Sequence, residues 1–357
     1  MKRSIAVLAV ILLGVVASAQ QAQQAGTPEQ QAARAQMAAQ LELEKTTPKL
    51  QVTEEVLRLV VPGHTIGEAM GVAKNSKGNL FVFSRSGVGG IARGGSASEL
   101  FEFDTNLKFV KQWGPGNYAS SYAHAVHVDK ADNVWMVDEG ANMFVKFEPD
   151  GYVGMVLGRK PESIDYLEAY LEYGEKIEEA NRHPVGRGTS FGRPTDIAWD
   201  SKGNLFISDG YVNSRVVKLE KNGTFVKQVG AFGSGPNQFN LPHTIAVDGK
   251  DRVYVGDRGN RRIQVFDADL NPLNTITTVG APWGMCVSPG PTQYLFSGDS
   301  NGKIYKLDMD GKLVGWAQVG QGLGQSSCLI HQIYCESEKV IYKGDCSTWK
   351  VEKLTFK

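Results

Sequence analysis

Three of the six histidines occur at equivalent places in a pattern that the chain repeats six times. Each repeat has two short segments of alternating apolar and polar residues, joined by a polar turn. The residues that begin the six repeats are Met70, His124, Thr195, His243, Trp283 and His331. In a closed ring of six units, alternate members are related by about 120° around the axis. The three imidazoles would therefore converge on one point, an arrangement typical of a catalytic zinc site with an open fourth position.

Each of these histidines taken alone could instead be a core residue that is hydrogen-bonded near the axis, and the alternation is what favours a metal site. The other three, His64, His127 and His183, fit no such pattern and are predicted to be structural or exposed. His127 follows His124 by three residues, so strand alternation directs it to the opposite face.

Three further polar residues lie at strand ends and are candidates for catalysis. Arg85 closes the second strand of the first repeat, Tyr211 follows the Asp-Gly turn of the third, and Arg258 takes the corresponding place in the fourth. Such side chains can take up a proton or bind a carboxylate, although at strand ends they are often only solvated or packed. The Asp residues that recur after the second strand are interpreted as turn-formers: Asp138, Asp209, Asp257, Asp299 and Asp345.

Short strands must position these residues. The paired strands of the six repeats occupy residues 70–86, 124–140, 195–211, 243–259, 283–300 and 331–347. A third strand follows in most repeats and a fourth in several. Four short antiparallel strands in repeats of roughly 40–50 residues, six times over, predict an all-β fold, the six-bladed β-propeller.

Two stretches fall outside the regular repeat. The sixth repeat has room for only three strands, so we predict that residues 51–61 supply its outer strand and close the ring. Residues 161–182 carry Leu and Ile among Glu and Lys without strand alternation. They predict a short helical insertion between the second and third blades, which either shapes a site entrance on one rim or is a plain loop.

The N-terminus has the three parts of a secretory signal peptide: Lys2 and Arg3, an apolar run, and Ala-Ser-Ala before the cleavage point. The predicted organisation is therefore a signal peptide at 1–19, a Gln/Ala-rich disordered or loosely helical tether at 20–50, and the propeller at 51–357. We expect the mature protein in the periplasm or outside the cell.

Composition limits the function classes. The 38 basic and 38 acidic residues give a formal charge of zero, which argues against a nucleic-acid partner. Hydrophobic residues make up 41% of the chain, enough for a sizeable core, and no internal apolar run is long enough to span a membrane. We expect a monomer that acts on a small-molecule or peptide substrate.

The four cysteines all lie late in the chain, which is too few for a disulfide scaffold of this size. Cys328 and Cys346 are near neighbours in the predicted hairpin of the last repeat. In an oxidising compartment they can form a disulfide. A role as a metal ligand is the alternative.

The repeats resemble NHL repeats, and their arrangement resembles the peptidyl-α-hydroxyglycine α-amidating lyase domain of peptide-amidating enzymes over about residues 52–357. The motifs that carry the resemblance are SDGYVNSR, LPHTIAVD and the three alternating histidines. The resemblance implies that His124, His243 and His331 hold zinc. It also implies a structural calcium, held by an Asp directly after the last zinc ligand. That position is Gln332 here, so we expect no calcium.

The resemblance implies a lyase that cleaves the C–N bond of an α-hydroxyglycine-type hemiaminal to an amide and glyoxylate. Tyr211 would take the hydroxyl proton, with its pKa lowered by Arg85 and the metal, and Arg258 or Arg85 would hold the substrate carboxylate. The alternative is a non-enzymatic NHL propeller that binds a peptide, glycan or protein partner. A propeller lyase or lactonase acting on another small molecule is a lesser alternative, because such enzymes more often use carboxylate ligands.

Overall fold

A computed structural model describes residues 28–85, 98–160, 188–320 and 328–357, and it divides the chain into two units, 1–46 and 47–357. The predicted signal peptide at 1–19 and the predicted helical insertion at 161–182 lie outside the described residues. Within the part of the chain that the structure describes, no helix combines the length and the apolar character needed to cross a membrane.

The described part of the first unit is helix α1 (Pro28–Thr46). Its Ala, Gln, Glu and Leu residues have high helix propensity, and Pro28 is suited to the first helical position. The sequence analysis gave a disordered or loosely helical tether for residues 20–50, and the structure has a regular helix in the described part of that stretch. The second unit begins at Thr47, and Lys49 bridges Trp316 within it.

The second unit consists of six four-stranded antiparallel sheets, which confirms the predicted six-bladed β-propeller. Blade one contains β2 (Glu68–Lys74), β3 (Leu80–Arg85), β4 (Ser98–Phe103) and β5 (Phe109–Trp113). Blade two contains β6 (Ala123–Val128), β7 (Val134–Asp138), β8 (Met143–Phe147) and β9 (Val153–Gly158). Blade three contains β10 (Asp196–Trp199), β11 (Leu205–Asp209), β12 (Arg215–Leu219) and β13 (Phe225–Val229).

The remaining blades follow the same order. Blade four contains β14 (Pro242–Val247), β15 (Val253–Asp257), β16 (Arg262–Phe266) and β17 (Pro272–Ile276). Blade five contains β18 (Gly284–Val287), β19 (Leu295–Gly298), β20 (Lys303–Leu307) and β21 (Leu313–Gln318). Blade six contains β22 (Ile333–Cys335), β23 (Val340–Asp345), β24 (Lys350–Phe356) and β1 (Val52–Val56). The first strand of each of the first five blades, together with β22, lines the channel, and each contacts its neighbours around the ring.

The chain ends close the sixth blade as predicted. Strand β1 pairs antiparallel with β24, in a register that places Val52 opposite Phe356 and Val56 opposite Glu352. This pairing satisfies the backbone groups of β24 that would otherwise form an open edge. The position of the site on the axis depends on this closure, because the ligands come from blades that span the whole ring.

The core lies between neighbouring blades, where the inward faces of adjacent sheets pack together. Phe81 and Phe83 of blade one pack with Met136 of blade two, and the next interface contains Trp135 and Ile207. Each fully buried side chain of this size contributes roughly 1.5–3 kcal/mol relative to exposure. The interfaces therefore hold the inner strands, and the residues on them, in fixed positions.

The recurring Asp residues have the architectural role that was predicted. The Asp138 carboxylate accepts hydrogen bonds from the backbone N–H groups of Ser121, Tyr122 and Ala141. Asp209 and Asp257 accept the N–H groups of Gly192 and Asn240 in the same way. Each carboxylate thereby ties the loop that enters a blade to the end of its second strand.

Two disulfides lie in the last two blades. Cys328 and Cys346 are bridged as the hairpin predicted, with their Cα atoms 5.4 Å apart. A second bridge, Cys286–Cys335, joins β18 of blade five to β22 of blade six. The sequence analysis missed it because the pairing crosses between blades.

Candidate functional site

The three alternating histidines meet on the propeller axis. The potential ligand atoms of His124, His243 and His331 all lie within 4.8 Å of one another. Their side chains are at most 3% exposed. Among the described residues, this is the one group of three or more His, Cys, Asp or Glu side chains with the spacing of a metal site.

β-Bulges aim two of these histidines at the axis. The pairing of β6 with β7 shifts register between Ala123 and Ala125, so His124 is the extra residue. The pairing of β14 with β15 shifts between Pro242 and Thr244 and leaves His243 in the same situation. A bulge rotates a side chain out of the regular alternation, and this is why both imidazoles point into the channel rather than into a blade interface.

Hydrogen bonds fix the tautomers of two of the histidines. The Nδ1 of His243 lies 2.7 Å from the Trp283 carbonyl oxygen, and the Nδ1 of His331 lies 2.8 Å from that of Met70. A carbonyl can only accept, so each Nδ1 carries the proton and each Nε2 presents its lone pair. This support by a backbone carbonyl is typical of metal-binding histidines.

His124 has no such support. Neither of its ring nitrogens has a hydrogen-bond partner among the described residues, although the side chain is buried. A buried polar atom without a partner costs about 1–3 kcal/mol and is rare in folded proteins. A metal ion bound by the three imidazoles would satisfy one of these nitrogens, so the residues present fit a metal.

The electrostatics of the site keep the histidines neutral. Burial lowers the pKa of His124 and His243 well below the usual value, and that of His331 to about 3. The positive charges of Arg85 and Arg258 lower all three further. The imidazoles are therefore uncharged at neutral pH, which is the form that binds metals.

The three other predicted site residues surround the histidines. The Tyr211 hydroxyl lies 3.2 Å from His243 Nε2. The Arg258 guanidinium lies over the ring of Trp283 at 4.2 Å and is 5.4 Å from that of Tyr211. Its Nη1 is buried and has no partner among the described residues. Arg85 donates through Nε to the Ala123 carbonyl at 2.9 Å.

The pKa of Tyr211 differs from the expectation. Burial and the Glu139 carboxylate raise this pKa above its usual value, and the charges of Arg258, Arg85 and Arg193 only partly oppose the rise. The protein's own groups thus do not depress it. A cation among the histidines would act in the lowering direction.

Two residues that the sequence analysis missed complete the site. Glu139 is 2% exposed, and its Oε2 lies 3.9 Å from His124 Nε2 and 3.4 Å from Arg85 Nη2. Its Oε1 accepts a hydrogen bond from Arg193 Nη2. The sequence does contain a signal for Glu139. This residue directly follows the recurring Asp of blade two, just as Arg258 directly follows that of blade four. Arg193 lies on a loop, and no motif indicates it.

A second polar layer lies beside the histidines, and we name it the glutamine layer: Gln332, His127 and Asp196. The Oε1 of Gln332 accepts hydrogen bonds from the N–H groups of Val72 and Val126, at 3.0 and 3.1 Å. Its Nε2 donates to the Val126 carbonyl at 2.9 Å. This environment supplies N–H donors where a calcium ion needs oxygen ligands, so the residues do not fit the calcium of the amidating-lyase resemblance.

The glutamine layer continues around the ring. His127 Nε2 lies 2.5 Å from Asp196 Oδ1, which gives His127 the structural role that was predicted. The other carboxylate oxygen of Asp196 accepts from the Thr244 hydroxyl and the Ile245 N–H. These side chains tie blades two, three and four together.

Comparisons with known proteins agree with the fold. Residues 189–310 match a family model described as 6-bladed beta-propeller. The solved structure of virginiamycin B lyase from Staphylococcus aureus superposes with a TM-score of 0.53 at 12% identity, covering 86% of this chain and 99% of that one. At this identity the likeness concerns the fold alone.

Curated relatives are more similar in sequence. A probable peptidyl-alpha-hydroxyglycine alpha-amidating lyase of Caenorhabditis elegans is 26% identical over 244 residues, 64% of this chain and 63% of the relative. Human NHL repeat-containing protein 3 is 28% identical over 58% of this chain and 54% of its own length. Rat peptidylglycine alpha-amidating monooxygenase is 27% identical over 81% of this chain and 30% of its own length. The matches thus cover under two thirds of each relative.

Fold and sequence agree with the resemblance stated above. The chain is a six-bladed β-propeller that is similar to proteins named as amidating lyases and as NHL repeat proteins, at identities of 26–30%.

Proposed function

We propose that this protein is an exported zinc-dependent lyase that cleaves the C–N bond of an α-hydroxyglycine-type hemiaminal. The observation that carries the proposal is the convergence of three buried, neutral histidines beside the Tyr211 hydroxyl and beside Arg258, whose Nη1 has no partner among the described residues. A channel that served only as a scaffold would have no need to bury the His124 nitrogens and the Arg258 Nη1 without partners from the described part of the chain.

The reaction is an elimination that consumes no water. The hemiaminal R–CO–NH–CH(OH)–COO⁻ loses its hydroxyl proton, the C–O bond becomes a carbonyl, and the C–N bond breaks. The amide nitrogen takes up a proton, and the products are R–CO–NH₂ and glyoxylate. The site must therefore remove one proton, return one proton and hold one carboxylate.

Zinc held by His124, His243 and His331 would supply Lewis acidity toward the substrate hydroxyl oxygen. In its ionised form, Tyr211 would accept the hydroxyl proton and then return a proton to the leaving nitrogen, since its oxygen lies at the edge of the histidine cluster. Arg258 would bind the carboxylate through Nη1, which has no partner in the described part of the chain. Arg85 adds positive charge beside the site.

Further features support the setting of this function. Relatives that are named as lyases match the chain. The two disulfides suit an oxidising compartment, in line with the predicted signal peptide. All three proposed ligands come from one chain, so the site needs no second subunit.

The metal content of the purified mature protein tests the proposal. We expect about one zinc per chain in the wild type and loss of that zinc in His243→Ala. His64→Ala is the matched control, because His64 pairs with Glu99 away from the channel and should leave the metal in place. Glyoxylate and amide should then appear in equal amounts from an N-acyl-α-hydroxyglycine.

The opposite result has a clear meaning. If the protein contains no metal and takes up none when zinc is added, the lyase proposal is wrong. A propeller that binds a peptide, glycan or protein partner would then be the better account.

A further inference from the structure

Glu139 divides the three arginines of the site into two kinds. It holds Arg85 through Oε2 and Arg193 through Oε1, while the Nη1 of Arg258 has no partner among the described residues. Arg258 alone can therefore account for the one carboxylate of an α-hydroxyglycine. The third arginine, Arg193, would then contact another part of the substrate.

Arg193 occupies the outer part of the site. Its side chain is 44% exposed, whereas those of Glu139 and the three histidines are almost fully buried. Its guanidinium lies 4.7 Å from the centre of the Tyr211 ring. A substrate whose hydroxyl reaches Tyr211 would extend its acyl part from the buried histidines toward solvent, and so toward Arg193.

The backbone of Arg193 is held in a costly conformation. Its φ is +55°, in the left-handed region, and it precedes Pro194, which restricts it further. Its N–H donates to Asn142 Oδ1 at 2.7 Å, and its carbonyl accepts from the Tyr211 N–H. Backbone strain that the surroundings enforce in this way is concentrated at functional sites.

The guanidinium of Arg193 keeps binding capacity. In the described part of the chain, only its Nη2 has an acceptor, the Glu139 carboxylate. A guanidinium has five N–H donors and binds a carboxylate through two of them at once. Glu139 thus acts as a positioning residue that orients Arg193, and the other donors of Arg193 have no acceptor among the described residues.

The charged side chains around the site leave an excess of positive charge, which can bind a second carboxylate of the substrate. Three arginines face two carboxylates, those of Glu139 and Glu68, and Glu68 lies at 3.3 Å from Arg85. One positive charge remains before a substrate or a metal is added. A divalent metal ion held by the three histidines would raise this excess to three, so the loaded site would suit a substrate that carries more than one negative charge.

We propose that Arg193 is a specificity residue that binds a carboxylate in the acyl part of the substrate. The preferred substrates would be acidic N-acyl-α-hydroxyglycines, with a dicarboxylic acyl group or an acidic residue next to the scissile amide. This inference rests on the proposed lyase function and adds the substrate class to it.

A matched pair of substrates tests the inference: the dianion N-succinyl-α-hydroxyglycine and its monoanionic counterpart, in which the terminal carboxylate of the acyl group is an amide. We expect the wild type to show a kcat/KM about tenfold higher for the acidic compound, as one charge-assisted hydrogen bond provides. In Arg193→Gln this ratio should fall to near one. Arg252→Gln is the control, because Arg252 pairs with Asp248 and Asp310 outside the site and should keep the ratio.

Calorimetry with two compounds that cannot be cleaved, N-succinylglycine and N-succinamoylglycine, separates this inference from the lyase proposal. An active enzyme with equal kcat/KM for both substrates overturns the role of Arg193 and leaves the lyase standing. An equal fall for both in Arg193→Gln also overturns it, because Arg193 would then bind the shared carboxylate. If the protein binds the acidic compound selectively but turns over neither substrate, the lyase proposal is overturned and the role of Arg193 is kept. If the protein shows no binding and no turnover, both proposals are overturned.

Discussion

The histidine cluster and the glutamine layer lie side by side in one channel, and they differ in how far their polar atoms are hydrogen-bonded to the protein. His331 and Gln332 are consecutive residues, yet the first turns its Nε2 to the axis while the second uses both atoms of its amide in hydrogen bonds to the backbone. His124 has no hydrogen-bond partner among the described residues, whereas His127, on the same strand, is paired with Asp196.

This contrast distinguishes the histidine cluster, which has ring nitrogens available to a ligand, from the glutamine layer, whose hydrogen bonds connect the blades. Buried polar atoms without partners reduce stability, so the two His124 nitrogens, which have no hydrogen-bond partner among the described residues, favour a ligand on the axis. The glutamine layer, by contrast, consists of satisfied groups that connect neighbouring blades. Residue type alone does not make this distinction, because both layers contain histidine.

The largest expected effect comes from removing a ligand of the histidine cluster. His243→Ala should lose the bound metal and lower kcat/KM by at least about 1000-fold, since the Lewis acid of the site is lost. Metal analysis and glyoxylate release measure the two effects. A variant that keeps full activity without metal would contradict the division between the layers.

The next effect concerns proton transfer. Tyr211→Phe removes the hydroxyl and should lower kcat by about 100- to 10,000-fold, while the metal content stays at the wild-type value. The comparison is informative because the hydroxyl contacts His243 without being one of the three converging ligands. Loss of metal in this variant would instead make Tyr211 part of the metal site.

The glutamine layer should respond in stability rather than in activity. Gln332→Ala leaves the N–H groups of Val72 and Val126 without their acceptor, which should cost about 2–4 kcal/mol in the free energy of unfolding. Denaturant unfolding measures this, with metal content as the second readout. Calcium added to the wild type should leave the Tm unchanged, and a rise in Tm would show that the layer takes an ion after all.

The last prediction concerns the pH dependence of stability in the metal-free protein, which has no effect at neutral pH. The pKa of His331 is about 3 in the folded state, below the roughly 6.5 of an unfolded chain. The folded state thus binds fewer protons, so this contribution to stability is complete above about pH 6.5 and is lost as the pH falls toward 3. Each such imidazole gives a slope of about 1.4 kcal/mol per pH unit.

Unfolding of chelator-treated protein across this pH range checks the prediction. His243→Ala should show a shallower slope, because one of the three buried imidazoles is missing. An unchanged slope in that variant would mean that other groups govern the acid sensitivity.

The repeat pattern was sufficient to predict much of the molecule. It located the inner strands, the closing strand within residues 51–61 and the convergence of the three histidines, because equivalent residues of a ring are related by its symmetry. It was silent on Arg193, whose position depends on one loop with a left-handed backbone. It also missed the Cys286–Cys335 bridge and the bulges, since both depend on how neighbouring strands are aligned rather than on spacing within a repeat.

The pairing of β1 with β24 has a consequence for how the ring assembles. Its partners are separated by about 300 residues, whereas the strands of the first five blades follow one another directly. Contacts between distant residues form late, because the entropy of closing the intervening loop must be overcome first. Both disulfides lie close to the blade that this pairing completes, one within blade six and one between blades five and six. Formation of the disulfides therefore links blades five and six covalently before the ring is closed. Closure then requires only that the edge strand β1 pairs with β24.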